Sequence, residues 1–203
     1  MSMQTGLRER KKAATRATLS QVAMRLALEL GVENVTAEAI AAAADVAPRT
    51  FHNYFASREE AIVAVMVDRA RGFADSLRAR PAGEPIWDSL HHAIVVELSG
   101  PPEVMAEFLA QMRMLKSSKS LRAHTLTIFE EVDHLLLTAI AERTGCDVER
   151  DLYPRLLAAV AAAALKTSVL MWGEDDDRDA TPVALATDAL RQLRAGLPEP
   201  ITH

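Results

Sequence analysis

A run of polar side chains between Pro48 and Phe55 combines the functional groups that proteins use to contact nucleic acids. The run holds a guanidinium, two hydroxyl groups, an imidazole and an amide, at positions Arg49, Thr50, His52, Asn53 and Tyr54. Arginine and asparagine can bind base edges through two hydrogen bonds, and hydroxyl groups commonly bind phosphate oxygens. Phe51 and Phe55 lie one helical turn apart within the run, so a helix here buries both rings and turns the polar side chains outward.

Two short helices are expected to position these side chains. Thr36 is a good N-cap for the first helix, which ends near Ala44 and has a buried stripe of Ile40, Ala43 and Ala44. Three residues, Asp45-Val46-Ala47, separate it from a second helix that begins at Pro48. This spacing is typical of a DNA-binding helix-turn-helix, here from about Thr36 to Phe55, with Ile40, Val46, Phe51 and Phe55 in one small core.

The rest of the chain is also predicted to be helical, which gives an all-α fold. A first helix over Lys11–Leu30 precedes the helix-turn-helix, and Ser57 and Glu60 form a capping box that opens a long fourth helix. The acidic run from Glu174 to Asp177 is predicted to be a solvated loop. Further helices are predicted over Ile86–Leu98, Glu103–Lys116, Ser118–Thr144, Glu149–Trp172 and Pro182–Ala195. We expect a three-helix DNA-binding domain over residues 1–57 and a larger helical domain over residues 58–203.

Composition and charge restrict the class of protein. Hydrophobic residues make up 49% of the chain and charged residues 25%, as in a soluble globular protein. No apolar stretch is expected to span a membrane, since even the run from Leu156 to Leu165 is followed by Lys166, and the single Cys146 fits a reducing cytoplasm.

The charge is distributed unevenly along the chain. Residues 1–58 hold eight basic and five acidic side chains, a net charge of +3. Because the whole chain has a net charge of −5, the remaining residues carry −8. A basic first quarter on an acidic body indicates one end that faces nucleic acid and argues against indiscriminate coating of DNA.

The stretch from Thr36 to Phe55, followed by Ala-Ser-Arg-Glu-Glu-Ala, resembles the TetR family of bacterial regulators. The likeness covers about Arg10 to Met66, and beyond Val67 it is confined to the helical layout. It implies that Arg49, His52 and Asn53 face the major groove. It also implies that phosphates are contacted by Thr36, Thr50, Tyr54 and Arg58.

Two residues in the turn depart from the pattern of this family. Asp45 stands where glycine is common, so we expect an aspartate in the left-handed backbone conformation. Ala47 stands where serine is common, which removes a helix cap worth about 1 kcal/mol. Pro48 partly offsets that loss because its ring fixes the backbone dihedral.

The resemblance further implies a homodimer on palindromic double-stranded operator DNA, a small-molecule effector and a role as repressor. It makes residues 58–203 the ligand-binding and dimerisation domain. The last two helices would pair with their copies in a four-helix bundle, and the alanines from Ala158 to Ala164 permit close approach, although a helix buried within one subunit explains them too. The effector pocket would lie within about Ile86 to Glu142. Its candidate lining residues, which plain core packing explains equally, are Trp87, His91, Met105, Phe108, Met112, Phe129 and His134.

A helical-bundle enzyme or metal-binding protein is the alternative. Glu131-x-x-His134 has the spacing of di-metal bundles, and Asp88-x-x-His91 is an imperfect second copy. The sequence has no glycine-rich phosphate loop, and Cys146 has no evident histidine partner. We therefore predict no catalytic residues, no metal site and no cofactor.

Overall fold

The computed structural model describes residues 2–174 and 180–198, and in these ranges the chain forms nine α-helices and one 3-10 turn, Val32–Asn34, with no strand. The all-α prediction is confirmed. The acidic run predicted as a loop lies, apart from Glu174, outside the described residues. The helices are α1 (Ser2–Leu30), α2 (Ala37–Ala43), α3 (Pro48–His52), α4 (Arg58–Arg78), α5 (Ile86–Leu98), α6 (Pro102–Ser117), α7 (Arg122–Thr144), α8 (Leu152–Trp172) and α9 (Pro182–Arg194).

Helix ends marked by glycine or proline were predicted more closely than the others. The bounds of α5 match the prediction, and Gly145 and Gly196 end α7 and α9 with positive φ angles of 69° and 86°. The predicted starts of α1, α7 and α8 were wrong: α1 begins at Ser2, α7 at Arg122 and α8 at Leu152. Before α7, the Ser118 hydroxyl accepts a hydrogen bond from the Leu121 N–H at 3.4 Å, which closes a separate turn there.

The chain divides into two compact units. The first unit comprises Met1–Arg69 and Ala110–Glu131, and the second comprises Ala70–Leu109 and Val132–His203. The first unit contains the helix-turn-helix. These units do not test whether residues 1–57 form a separate domain, so the predicted domain boundary at residue 57 stays a prediction.

Aromatic and aliphatic side chains form the core around the helix-turn-helix. Phe51 and Phe55 are fully buried, with ring centroids 5.8 Å apart, and Leu19 of α1 is buried as well. In α2 the buried residues are Ile40 and Ala41, whereas Ala43 is exposed and Ala44 half-buried. The predicted stripe was therefore wrong at Ala43, because α2 packs against both α1 and α3 and so buries two adjacent positions.

The second unit has its own core, built from α4, α5, α7 and α8. Arg143 of α7 fixes the connection between α4 and α5 by donating to the Arg80 carbonyl at 2.7 Å and the Pro81 carbonyl at 2.9 Å. Helix α9 packs against α8 and α5. The core side chains are Ala74, Leu77, Leu90, Leu136, Ala139, Ile140, Leu157, Ala158 and Ala161.

Helix α8 is more apolar than expected for a helix with an exposed face. It is the one described helix that is long and apolar enough to cross a membrane by length and composition, with a mean hydropathy of 1.4 in an 18-residue window, of which 33% is buried. Lys166 interrupts the run of apolar residues, so the expectation that no stretch spans a membrane is not contradicted by these criteria and stays a prediction. The core helix of a soluble protein meets them too, and Ala158, Ala161 and Ala164 are indeed buried.

Candidate DNA-binding site

Side chains from outside α2 fix where that helix begins. The Thr36 hydroxyl accepts a hydrogen bond from the Ala39 N–H at 3.1 Å, which confirms Thr36 as the N-cap. Immediately before it, the Arg58 guanidinium donates to the Glu33 carbonyl at 3.0 Å and to the Val35 carbonyl at 2.6 Å. The approach to the helix-turn-helix is therefore held by α4.

The turn has the conformation expected from its two unusual residues. Asp45 has φ of 55°, the predicted left-handed conformation, and the Val46 N–H donates to the Ala41 carbonyl at 3.0 Å. Ala47 makes no side-chain cap, as predicted, and Pro48 occupies the first turn of α3. The turn is thus built from backbone hydrogen bonds and one strained aspartate.

Helix α3 separates a buried side from an exposed polar side. Phe51 faces the core, whereas Arg49, His52 and Asn53 are exposed. Thr50 and Tyr54 are half-buried, and Thr36 at the start of α2 is exposed. The predicted base-facing residues therefore share one accessible surface, which we call the recognition face and define as Arg49, His52 and Asn53. Their individual contacts with DNA stay predictions.

Arg58 is more deeply engaged than the sequence suggested. Besides the two carbonyls, its guanidinium contacts Glu33 Oε2 at 3.3 Å and Glu59 Oε1 at 2.8 Å. The hydrogen bond with Glu59 raises the pKa of Arg58 above its usual value. The predicted phosphate contact is untested, and the structure shows a positioning role that no local sequence signal reveals, because Glu33 and Val35 lie more than 20 residues away.

The capping box at the start of α4 is shifted by one residue from the predicted form. The Ser57 hydroxyl accepts from the Glu60 N–H at 3.1 Å, as expected. The Glu60 carboxylate, however, accepts from the Ala56 N–H at 2.8 Å. Both contacts satisfy N–H groups where α4 begins, so the box keeps its function with a different partner.

Arg16 of α1 also supports the core of the helix-turn-helix, a role that the sequence did not reveal. Its guanidinium carbon lies 4.7 Å from the centroid of the Phe55 ring, and its Nη1 lies 3.8 Å from Asp68 Oδ1. Ser20 also donates to Asp68, at 3.1 Å. These contacts tie α1 to α4 and to the aromatic pair, and only the folded chain brings them together.

The candidate effector residues lie in different surroundings. Trp87 and His91 line a cleft of about 440 Å³ between α5 and α9. Met105 and Phe108 are buried and Met112 is half-buried, whereas Phe129 and His134 are exposed. Membership of one effector pocket remains a prediction for all seven.

Two residues of the suggested metal motifs, Asp88 and His91, have other partners. Asp88 accepts from Arg194 at 2.7 Å, and the His91 Nε2 lies 3.1 Å from the Thr187 hydroxyl. Within residues 2–174 and 180–198, no group of three or more His, Cys, Asp or Glu side chains has an arrangement that could hold a metal ion.

Comparisons with known proteins agree with this fold. Residues 19–65 match the family described as "Bacterial regulatory proteins, tetR family", and residues 84–198 match "MftR C-terminal domain". The chain is 35% identical over 198 residues to the HTH-type transcriptional regulator TcmR of Streptomyces glaucescens, covering 92% of this chain and 87% of TcmR.

Two solved structures share the fold at low sequence identity. FadR of Thermus thermophilus has a TM-score of 0.60 at 21% identity and covers 92% of this chain and 97% of its own. A TetR-family protein of Syntrophomonas wolfei has a TM-score of 0.65 at 17% identity, covering 92% and 98%. With the helix-turn-helix geometry and the match to TcmR, these findings show that the chain belongs to the TetR family and is a DNA-binding transcriptional regulator.

Proposed function

We propose that the chain is a ligand-responsive repressor that acts in the cytoplasm as a homodimer on a palindromic operator. The observation that carries this proposal is the recognition face: Arg49, His52 and Asn53 are exposed while Phe51 of the same short helix is fully buried. A five-residue helix reads few bases, and two-fold symmetry doubles the readout on a palindrome. The chain has no catalytic role in this account.

The exposed side of α8 supports the homodimer. Leu152 and Leu156 have exposed fractions of 66% and 54%, and Ala159 and Ala163 continue the same side of the helix with small exposed residues. Large apolar side chains seldom remain at water in a row along one helix, and small residues let two helices approach closely. The alanine run thus serves two purposes: Ala158, Ala161 and Ala164 pack within the subunit, and the exposed alanines face the partner.

An effector with apolar character fits the middle of the chain. The solved Thermus thermophilus FadR is described as a repressor in complex with lauroyl-CoA. Met105 and Phe108 are buried in the second unit, where the flexible methionine side chain can repack around a comparable hydrophobic inducer. We propose residues 1–57 as the DNA-binding part and residues 58–203 as the part that binds effector and forms the dimer.

Selection from a random-sequence duplex library tests the proposal directly. The purified chain should enrich one palindromic sequence, with half-sites about one helical turn or a multiple apart, and bind it as two protomers. Enrichment of no sequence after repeated rounds, at near-physiological salt, would contradict sequence-specific repression.

The dimer has its own test. Leu156→Glu places a charge in the proposed interface and should convert a dimer into a monomer in light scattering. Leu126→Glu places the same charge on an α7 residue that is 65% exposed and should leave the dimer unchanged. A monomeric wild-type protein, or a Leu156→Glu variant that stays dimeric, would refute the interface.

A further inference from the structure

We propose that the cleft between α5 and α9 binds a small aromatic carboxylate. The cleft lies within the second unit and has a volume of about 440 Å³. Small-molecule sites typically occupy about 300–1,000 Å³ and combine apolar walls with a few polar groups. The lining includes Trp87, His91, Thr187, Leu190, Arg191 and Arg194.

One indole and one aliphatic side chain provide the apolar surface. Trp87 of α5 is half-buried, and Leu190 of α9 is buried. A half-buried indole leaves part of its ring available for stacking, and aromatic rings prefer offset or edge-to-face partners. An apolar wall of one indole and one leucine side chain suits a compact ring system rather than a long acyl chain.

The two arginines provide N–H donors that match the oxygens of a carboxylate. Arg194 binds Asp88 at 2.7 Å, and Arg191 binds Asp188, which is outside the lining. A guanidinium has five N–H donors, so both arginines keep donors for a ligand. Each arginine is paired with one aspartate, so the cleft has no excess positive charge, and a carboxylate would bind through the guanidinium N–H donors that these ion pairs leave free. The planar guanidinium also matches the two oxygens of a carboxylate.

A polar pair joins the two walls of the cleft. The His91 Nε2 lies 3.1 Å from the Thr187 hydroxyl, which links α5 to α9. Each group can make a further hydrogen bond, so the pair can accommodate a polar substituent on the ring of the ligand.

The cleft does not overlap the proposed dimer face. That face uses the exposed leucines and alanines of α8, none of which lines the cleft.

Calorimetric titration of the free protein tests this site without DNA, so its outcome is separate from that of the proposed function. The probes are 1-naphthoate and its neutral counterpart 1-naphthalenemethanol. Naphthoate should bind at least about tenfold more tightly than the alcohol. The double variant Arg191→Gln/Arg194→Gln should bind both probes equally. The control Arg122→Gln/Arg150→Gln removes two exposed cations elsewhere and should bind like the wild type.

The location of the probe is read from the indole N–H resonances. The chain has two tryptophans, and the Trp172→Phe variant assigns the signals. Saturating naphthoate should shift the Trp87 signal and leave the Trp172 signal in place. In calorimetry, the proposal is overturned by equal affinity for both probes, by no saturable binding up to about 1 mM, or by an equal loss of naphthoate affinity in the two double variants. In the resonance experiment, it is overturned by a shift of the Trp172 signal alone.

Discussion

Replacing Arg58 by alanine should destabilise the helix-turn-helix, because this side chain holds the chain just before α2. The substitution removes hydrogen bonds to the carbonyls of Val35, at 2.6 Å, and Glu33, at 3.0 Å. Hydrogen bonds to charged groups contribute about 1.5–3 kcal/mol each. The Arg58 side chain is 26% exposed, so water replaces part of the lost contact, and we expect a total loss of about 2 kcal/mol.

Urea unfolding followed by circular dichroism, at one fixed protein concentration, measures this loss. With a slope of about 2 kcal/mol per molar urea, the midpoint should fall by about 1 M. Arg58→Lys should recover little of it, because one ammonium group cannot reproduce the planar fork between two carbonyls.

Arg49→Ala is the matched control, since it removes an exposed arginine of α3. Its stability should stay within about 0.5 kcal/mol of the wild type. The reasoning is refuted if Arg58→Ala unfolds at the wild-type midpoint. A residue that only contacted phosphate would instead lower the salt dependence of DNA binding by about one unit, with stability unchanged.

Five further substitutions test three separate features. Asp45→Gly should change stability by less than about 1 kcal/mol, whereas Asp45→Val should cost about 1–2 kcal/mol because φ is 55°; equal effects in thermal melts would contradict the strained turn. Gly173→Ala should lower the melting temperature because a Cβ there overlaps the buried Leu109 side chain, whereas Gly72→Ala, with nothing within 4 Å, should raise it; the opposite order would show that the packing is misassigned. Glu84 has its pKa lowered from 4.5 to about 2 by its arginine and serine partners, so its stabilisation is present above pH 4.5 and is lost as the pH falls towards 2. Glu84→Gln should therefore reduce the loss of melting temperature between about pH 5 and pH 2.5, and an unchanged loss would argue against this contribution.

Local signals explain which parts of the fold were predictable. Thr36 marked the start of α2, and the apolar period placed Phe51 and Phe55 in the core, whereas the left-handed conformation of Asp45 was implied by the family resemblance. These features depend on residues within a few positions of one another, where cap and turn preferences are strong.

Long-range contacts account for what the sequence did not reveal. The clamp from Arg58 to the Val35 carbonyl and the stacking of Arg16 on Phe55 join residues that are distant in the chain. Likewise, the segment Ala110–Glu131 belongs to the same compact unit as Met1–Arg69, although no residue pattern in that segment predicts this grouping. Periodicity indicates which side of a helix is apolar but not which element covers it.

The recognition face is tested most directly by fluorescence anisotropy with the selected operator duplex and a scrambled duplex at one near-physiological salt concentration. The wild type should prefer the operator by about a thousandfold or more, and Arg49→Ala or Asn53→Ala should lose at least about tenfold of that preference. Arg122→Ala, which removes an exposed cation of α7, should retain it. Recognition-face variants with the full preference of the wild type would contradict the assignment of α3 as the element that reads DNA.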